Sequence, residues 1–191
     1  MRQKLLIGFF FFCCIAIVKT QPINQQTSNL YDWVQQQQSN KNVSPHSLFT
    51  ASPYLFDAGS EISNALDDYE ILNINANKVE QLINSGSKNL LLTIPYGTKD
   101  IQLRLSEAQV TSDNYVTRST AGVVSSIGGK HYRGIIEGAP NSVAALSIID
   151  GQIYGLFGDD YENYNLGMVE DGSGNYIIYK ASDMLVNLSQ G

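Results

Sequence analysis

The pattern of apolar and polar positions is clearest from residue 69 onward. The apolar residues of 69–74 ("YEILNI") predict a strand. Residues 76–86 ("ANKVEQLINSG") carry apolar side chains at helical spacing and end in glycine, so they predict a short helix with a glycine cap. Residues 89–94 and 101–110 flank the turn "PYGTKD" and predict a β-hairpin.

The C-terminal part of the chain repeats short apolar segments separated by turn residues. Residues 131–138 ("HYRGIIEG") alternate as a strand does, whereas 142–149 ("SVAALSII") are mostly apolar, which is typical of a strand buried on both faces. "DG" at 150–151 predicts a two-residue hairpin turn. Further strands are predicted at 152–157, 164–170 and 176–182, with turns at 158–163 and 171–175, and 119–129 is a flexible connection. The predicted fold class is α+β, mainly an antiparallel β-meander with one short helix.

The first twenty residues have the pattern of a secretory signal peptide. A basic start ("MRQK") precedes fourteen apolar residues and then a polar stretch. That run is shorter than the ~20 residues that a membrane-spanning helix needs. Residues 1–20 are therefore predicted to direct secretion, with cleavage near Thr20 and no membrane association afterwards.

Residues 21–47 are rich in Gln, Asn and Ser, a composition that buries too little apolar surface to compensate for the entropy of ordering. They are predicted to form a mobile segment that is dispensable for folding, with Tyr31, Trp33 and Val34 as candidate docking residues. The β-rich domain is predicted to cover 48–183, and 184–191 form a tail or the start of a linker.

The composition of the chain argues against several classes of function. Both cysteines, Cys13 and Cys14, lie in the predicted signal, so the mature chain has no disulfide, thiolate nucleophile or cysteine-ligated metal. Removing the signal leaves nine basic against eighteen acidic residues, a formal net charge of −9. An acidic surface argues against nucleic acid as a partner.

The residues of the mature chain give little support for a catalytic site. The mature chain has only His46 and His131 and no HExxH, so a zinc hydrolase lacks converging ligands, and no zinc is expected in the isolated domain. It also has no G-x-S-x-G pentapeptide, and Ser142 and Ser147 belong to a predicted strand, where hydroxyls bond locally.

The acidic residues do not predict a catalytic pair either. Asp159 and Asp160 are adjacent, so on a strand they would face opposite ways. Glu137 and Asp150 end predicted strands, where carboxylates commonly face water, and the acidic turns lack EF-hand spacing. Residues 131–160 are therefore predicted to form turns and strands rather than an active site.

The same stretch resembles the propeptide signature of secreted reprolysin-type zinc metalloproteases. The resemblance covers roughly residues 66–181, because the strand, helix and hairpin from 69 to 97 are also similar to the start of such propeptides. The matching motif residues, all expected to be structural, are His131, Tyr132, Gly134, Gly138, Ser142, Ala145, Leu146, Ser147, Gly151 and Gly155.

The resemblance implies an exported propeptide that assists folding of a protease domain in cis and keeps it latent. This chain alone would then be no enzyme and would hold no cofactor, since zinc belongs to the protease domain, whose HExxH is not among these residues. The full-length precursor would be a secreted metalloendopeptidase. Animal members often carry a cysteine that occupies the zinc, which the mature chain here lacks.

Aromatic residues and arginine dominate protein-binding hot spots. The expected protease-contact surface is therefore on the meander, at Tyr132, Arg133, Tyr154, Phe157 and Tyr161. The alternative function is a secreted β-rich adhesion or carbohydrate-binding module, which would present an exposed aromatic row on one sheet face.

Overall fold

The structure is a computed structural model that describes residues 23–39, 41, 43, 45–54, 60–110, 117–119, 122–124 and 129–185. The predicted signal and most of the predicted tail lie outside these ranges. No helix among the described residues is both long and apolar enough to cross a membrane.

The described chain is mostly strand with a few short helices. The helices are α1 (Ile23–Gln38), α2 (Glu61–Ala65), α3 (Ala76–Ser85) and a 3-10 turn at Ala181–Asp183. The strands are β1 (Pro45–Ser47), β2 (Phe49–Ala51), β3 (Glu70–Ile74), β4 (Asn89–Tyr96), β5 (Lys99–Glu107), β6 (Thr117–Ser119), β7 (Gly122–Val124), β8 (Gly129–Ile136), β9 (Val143–Ile149), β10 (Gln152–Gly158), β11 (Asn163–Met168) and β12 (Tyr176–Lys180).

Ten of these strands form one nearly closed sheet in the order β1-β4-β5-β8-β9-β10-β11-β12-β3-β2. The predicted α+β class and the antiparallel meander from β8 to β12 are confirmed. The sheet as a whole is mixed, because β1 pairs with β4 in parallel. The prediction of a mainly antiparallel meander did not include this parallel pair, since β1 was not recognised as a strand.

Leu48 closes the sheet. It is the single residue between the two edge strands, β1 on β4 and β2 on β3. Its side chain is buried, and its carbonyl oxygen accepts a hydrogen bond from the Asn75 backbone N–H at 2.9 Å. Lys78 Nζ donates to the Ser47 carbonyl at 3.0 Å. The start of α3 thus holds the segment that joins both edges, and the sheet domain begins at Pro45 rather than at residue 48.

The start and end of α3 follow the signals in its sequence. Asn75 caps the N-terminus by accepting the Lys78 N–H at 3.0 Å. Gly86 ends the helix with a φ of 64°, the left-handed conformation expected of a glycine cap. Val79 and Leu82 of this helix are buried against the sheet interior, so the predicted helix is confirmed.

The interior is filled by alternate residues of the strands and by α3. Aromatic rings also meet there, with Phe49 edge-on to Tyr176 at 5.3 Å between ring centroids. The buried cluster comprises Leu48, Phe49, Leu72, Val79, Leu82, Leu90, Leu92, Ile94, Leu103, Leu105, Tyr132, Ala144, Leu146, Ile148, Ile153, Phe157, Leu166, Tyr176 and Ile178.

Strand β9 differs from its prediction. Its mostly apolar sequence suggested burial on both faces, but only alternate residues such as Ala144 and Leu146 point inward. Val143 and Ala145 face outward and are exposed. One face of β9 therefore leaves apolar side chains uncovered.

The Asp150-Gly151 turn has the predicted geometry. Ile149 pairs with Gln152, so the loop contains two residues. Asp150 has a φ of 51° and Gly151 a φ of 79°, which are the positive values that a type I′ turn requires at both central positions.

The N-terminal segment is more ordered than its composition suggested. Residues Ile23–Gln38 form α1, which packs on the outer face of β5 and β8. Val34 is fully buried and Gln38 is 6% exposed. Gln38 Nε2 donates to the Leu105 carbonyl at 2.9 Å. The segment predicted to be mobile at 21–47 thus contains a helix and the strand β1, and a few well-placed contacts suffice to dock a polar helix.

The connection predicted at 119–129 is partly regular. Thr117–Ser119 and Gly122–Val124 pair as a short antiparallel hairpin separate from the main sheet. Only these residues and Gly129 fall within the described part of that region.

We expect Gly151→Val to lower the free energy of unfolding by about 1–3 kcal/mol, because a β-branched residue is strained at this positive φ. An added Cβ meets nothing within 4 Å at Gly151 or at Gly167, but only Gly151 has a positive φ. Urea unfolding of Gly151→Val and the control Gly167→Val measures the effect. Equal midpoints for Gly151→Val and the parent would contradict the turn assignment.

We expect Val34→Ser to lower the free energy of unfolding by about 1–3 kcal/mol, because it removes a buried apolar side chain from the contact between α1 and the sheet. The exposed Gln35 on the same helix provides the control Gln35→Ser, which should change little. Urea unfolding distinguishes the two. If Val34→Ser behaves as the control does, α1 contributes nothing to stability.

Candidate functional site

The motif residues shared with reprolysin-type propeptides have structural positions. A side chain at Gly134 would collide with the backbone of Arg104 on the neighbouring strand β5. Gly138 has a φ of 81° in the turn that follows β8. At Gly155 an added Cβ would lie 3.3 Å from side-chain atoms of Leu146 and Leu166. These glycines permit tight turns and close packing of strands.

The polar motif residues form hydrogen bonds that stabilise the same strands. Ser142 is fully buried, and its Oγ accepts the Ile136 N–H at 2.7 Å and bonds the Ala139 carbonyl, which holds the β8–β9 turn. His131 Nδ1 lies 2.9 Å from Ser147 Oγ, its cross-strand neighbour. The motif therefore builds β8, β9 and β10, and its serine and histidine side chains already have hydrogen-bond partners.

Two members of the expected contact surface lie in the interior. Tyr132 and Phe157 are each 1% exposed. Tyr132 Oη donates to the Ser87 carbonyl at 3.0 Å, and burial raises its pKa to about 12. Phe157 stacks on Tyr164 with ring centroids 5.4 Å apart. The prediction that these two contact a partner is wrong, because the alternation of β8 and β10 turns them inward.

The other three members are accessible. Arg133 and Tyr154 face outward from β8 and β10, and Tyr154 is 44% exposed. Tyr161 is 90% exposed in the β10–β11 turn. That turn is held by Asp159 Oδ1, which accepts the N–H groups of Tyr161 and Glu162 at 2.8 and 3.0 Å.

The structure adds apolar residues to this outward face that sequence reasoning did not select. Leu156 is 57% exposed and Val143 46% exposed on the adjacent strands β10 and β9. Cross-strand pairing continues from Leu156 to Asn165 and then to Tyr179. Leu156 is two residues from Tyr154, so its outward direction follows from strand periodicity once Tyr154 is known to face out.

A groove of about 500 Å³ runs along this face between β10 and β12. Tyr154 and Leu156 form one wall, Ile177 and Tyr179 form the other, and Gly167 lies in the floor between them. The lining has no charged residue and is completed by Ala145, Ser147, Gly155, Asn165, Leu166 and Met168.

Acidic turns flank both ends of the groove. Asp150, Glu170 and Asp171 belong to the β9–β10 and β11–β12 turns at one end. The β10–β11 turn at the opposite end carries Asp160 and Glu162. The groove therefore has an uncharged lining and negatively charged ends, and Arg133 lies on the same face, two strands from Leu156.

A second cavity of about 580 Å³ lies at an open end of the sheet, lined in part by Tyr96, Tyr164 and Gln102. Tyr96 packs edge-on against Tyr164 at 5.3 Å, and its buried hydroxyl has no hydrogen-bond partner among the described residues. Burial, reinforced by the carboxylates of Asp68 and Asp183, raises the pKa of Tyr96 to about 12. A neutral phenol is poorly suited to proton transfer near neutral pH.

Glu137 at the edge of this cavity forms a two-bond ion pair with Arg104. Arg104 Nε donates to Glu137 Oε2 at 2.5 Å, and Nη2 donates to Oε1 at 2.7 Å. Arg104 Nη1 also donates to Gln38 Oε1 at 3.0 Å. The hydrogen bond from Arg104 lowers the pKa of Glu137. The pair thus connects β5 and the β8–β9 turn to the end of α1, and it gives Glu137 a structural role.

The described residues contain no group of three or more His, Cys, Asp or Glu side chains placed to hold a metal ion. His46 lies on β1, where burial lowers its pKa, and His131 lies on β8. The absence of zinc from the isolated domain stays a prediction.

No model of a known protein family matches this chain, and no curated protein matches it. The resemblance to reprolysin-type propeptides therefore depends on the motif residues themselves.

We expect Glu137→Gln to lower the free energy of unfolding at pH 7 by about 0.5–1 kcal/mol, since the pair is partly exposed and screened by solvent. A carboxyl whose pKa is lower in the folded state stabilises above its unfolded pKa and loses this contribution as pH falls through the folded value. The difference from the parent should therefore shrink on acidification below the ordinary pKa of 4.5.

Urea unfolding at pH 7 and pH 3 measures this change. Glu80→Gln, at an exposed position of α3, is the matched control and should have little effect at either pH. A Glu137→Gln deficit that is the same at both pH values would show that the charge of Glu137 is not responsible.

Proposed function

We propose that this chain is the propeptide-type domain of a secreted zinc metalloprotease precursor. It binds the protease domain in cis, assists its folding and keeps it latent until cleavage. The domain itself performs no chemistry and holds no cofactor. The motif at 131–155 supports this assignment, and its residues form or stabilise the strands and turns that carry the outward face.

The observation that carries the proposal is the exposed apolar face of β9 and β10. Val143, Tyr154 and Leu156 are 44–57% exposed on adjacent strands of an acidic domain. Contiguous apolar surface of this kind is typical of an interaction site. Tyrosine is also among the residue types that supply most of the binding free energy in protein interfaces.

Latency through this face needs only moderate affinity when the two domains share one chain. At an effective concentration of about 1 mM, an interaction with a dissociation constant of about 1 µM leaves roughly one thousandth of the enzyme free. Because the mature chain has no cysteine, inhibition would depend on covering the protease rather than on a thiolate bound to zinc.

The second candidate is a secreted carbohydrate-binding or adhesion module. Tyr154 and Tyr179 on one sheet face, with Asn165 between the walls of the groove, favour it. Carboxylates of the acidic turns could accept hydrogen bonds from a neutral sugar, but only a partner with basic residues also complements their charge. The propeptide function therefore accounts for more of this face.

We expect the purified chain to inhibit a reprolysin-type metalloprotease domain from the same organism that was produced without its own propeptide. The double variant Tyr154→Ser/Leu156→Ser should weaken inhibition by about tenfold or more, the effect of losing roughly 1.4 kcal/mol of binding free energy. Val110→Ser is the control, since Val110 is 56% exposed but lies outside this face.

Inhibition constants from peptide-substrate assays and the recovery of active protease on refolding are the two measurements. A parent chain that neither inhibits nor assists refolding would contradict the propeptide function. Binding of neutral oligosaccharides by the same preparation would then favour the second candidate.

A further inference from the structure

We infer that the groove above Gly167 is the anchoring site for a protein segment with an apolar centre and basic residues at both ends. The inference rests on the proposed function because it takes the partner to be a protein. It adds the part of the surface that the partner occupies and the kind of side chains that bind there. It depends on three observations: the glycine floor, the apolar walls and the charge at the two ends.

The backbone conformation at position 167 does not require a glycine. Its φ is outside the left-handed range, and a Cβ added there meets nothing within 4 Å. Other glycines of the meander differ, since Gly155 and Gly158 would place a Cβ against neighbouring atoms. A larger residue at Gly167 would favour the strand, because glycine weakens strand interiors. What glycine provides at this position is the open floor of the groove.

The walls are spaced for one inserted side chain. Leu156 on β10 and Tyr179 on β12 both pair with Asn165 of the strand between them. The walls are therefore two strand spacings apart, about 10 Å between backbones. Since all lining residues are uncharged, an apolar or aromatic side chain fits the groove better than a charged one.

The ends of the groove determine the charge of the partner. The acidic turns at Asp150 and Glu170 are separated from that at Asp160 by the seven residues of β10, about 20 Å along the strand. Lys180 at one end is 4.0 Å from Glu162 and offsets only part of this charge. A segment with basic residues about 20 Å apart complements both ends.

The same charges argue against a second copy of this chain as the occupant. A copy docked face to face would bring its own acidic turns against those of the first, and like charges in an interface are unfavourable. A neutral glycan has no charge to complement that of the two ends. The partner of this face is therefore a protein segment of opposite charge.

A probe peptide tests the site without the protease. Its sequence, Lys-Lys-Ser-Leu-Phe-Leu-Ser-Lys-Lys, places lysines at both ends of an apolar centre. Titration into the nitrogen-15-labelled chain at low salt should shift the amide signals of Tyr154, Leu156 and Gly167. Chito-oligosaccharide titrated in parallel serves as the neutral sugar arm.

Filling the groove provides the decisive variant. We expect Gly167→Val to weaken peptide binding by about tenfold while the urea midpoint stays equal to the parent value or rises. Gln102→Val places the same β-branched residue at an exposed position of β5, away from the groove, and should bind as the parent does.

Charge reversal tests the ends of the groove. Asp160→Lys and Glu170→Lys should each weaken peptide binding several-fold at low salt, and the loss should shrink at about 0.5 M salt because of screening. Glu80→Lys on α3 is the control with the same change in net charge. An equal loss for Glu80→Lys would indicate a nonspecific charge effect and would overturn the assignment of basic ends.

The outcomes separate this inference from the proposed function. Signal shifts away from the groove, undiminished binding by Gly167→Val, or salt-independent binding of the sugar at the groove would each overturn the inference. If the peptide binds as expected and the protease is not inhibited, the groove is supported and the propeptide function fails. If the protease is inhibited equally by parent and Gly167→Val, the groove fails and the propeptide function is supported.

Discussion

Closure of the sheet at Leu48 is the constraint on which the other features depend. A strand edge exposes unpaired backbone groups, and here the short segments on either side of Leu48 cover the edges of β4 and β3 together. Closure defines an inside and an outside for every strand. It also requires α3, whose first turn bonds Ser47 and whose apolar face fills the interior.

The inside and outside of the meander serve different purposes. The residues that resemble a protease propeptide include glycines of turns and strands, a buried serine and inward side chains such as Leu146, so most of them define the architecture, although Ala145 and Ser147 also line the groove. The proposed binding surface uses the alternate positions, including Tyr154 and Leu156, which no turn or core contact requires to be apolar. Exposed apolar side chains at positions with no structural role are the strongest reason to assign binding to this face.

The N-terminal helix shows how a polar segment can dock. Val34 is its buried apolar contact, and Gln38 uses both ends of its amide, donating to the Leu105 carbonyl and accepting from Arg104. A buried amide with both ends bonded loses little on leaving water. Composition measures the average polarity of a segment, so it cannot register that one glutamine meets a matching set of partners.

The sequence by itself determined the elements whose cause is local. The Asp150-Gly151 turn and the Gly86 cap depend on the φ preferences of one or two residues, and the strands of the meander depend on their own alternation. Only the tertiary structure decided that 45–51 closes the sheet, because its partners β3 and β4 lie far along the chain. It also decided which residues face inward, turning Phe157 to the core and Leu156 to solvent. Alternation predicts that neighbours point opposite ways, and only packing determines which of the two is buried.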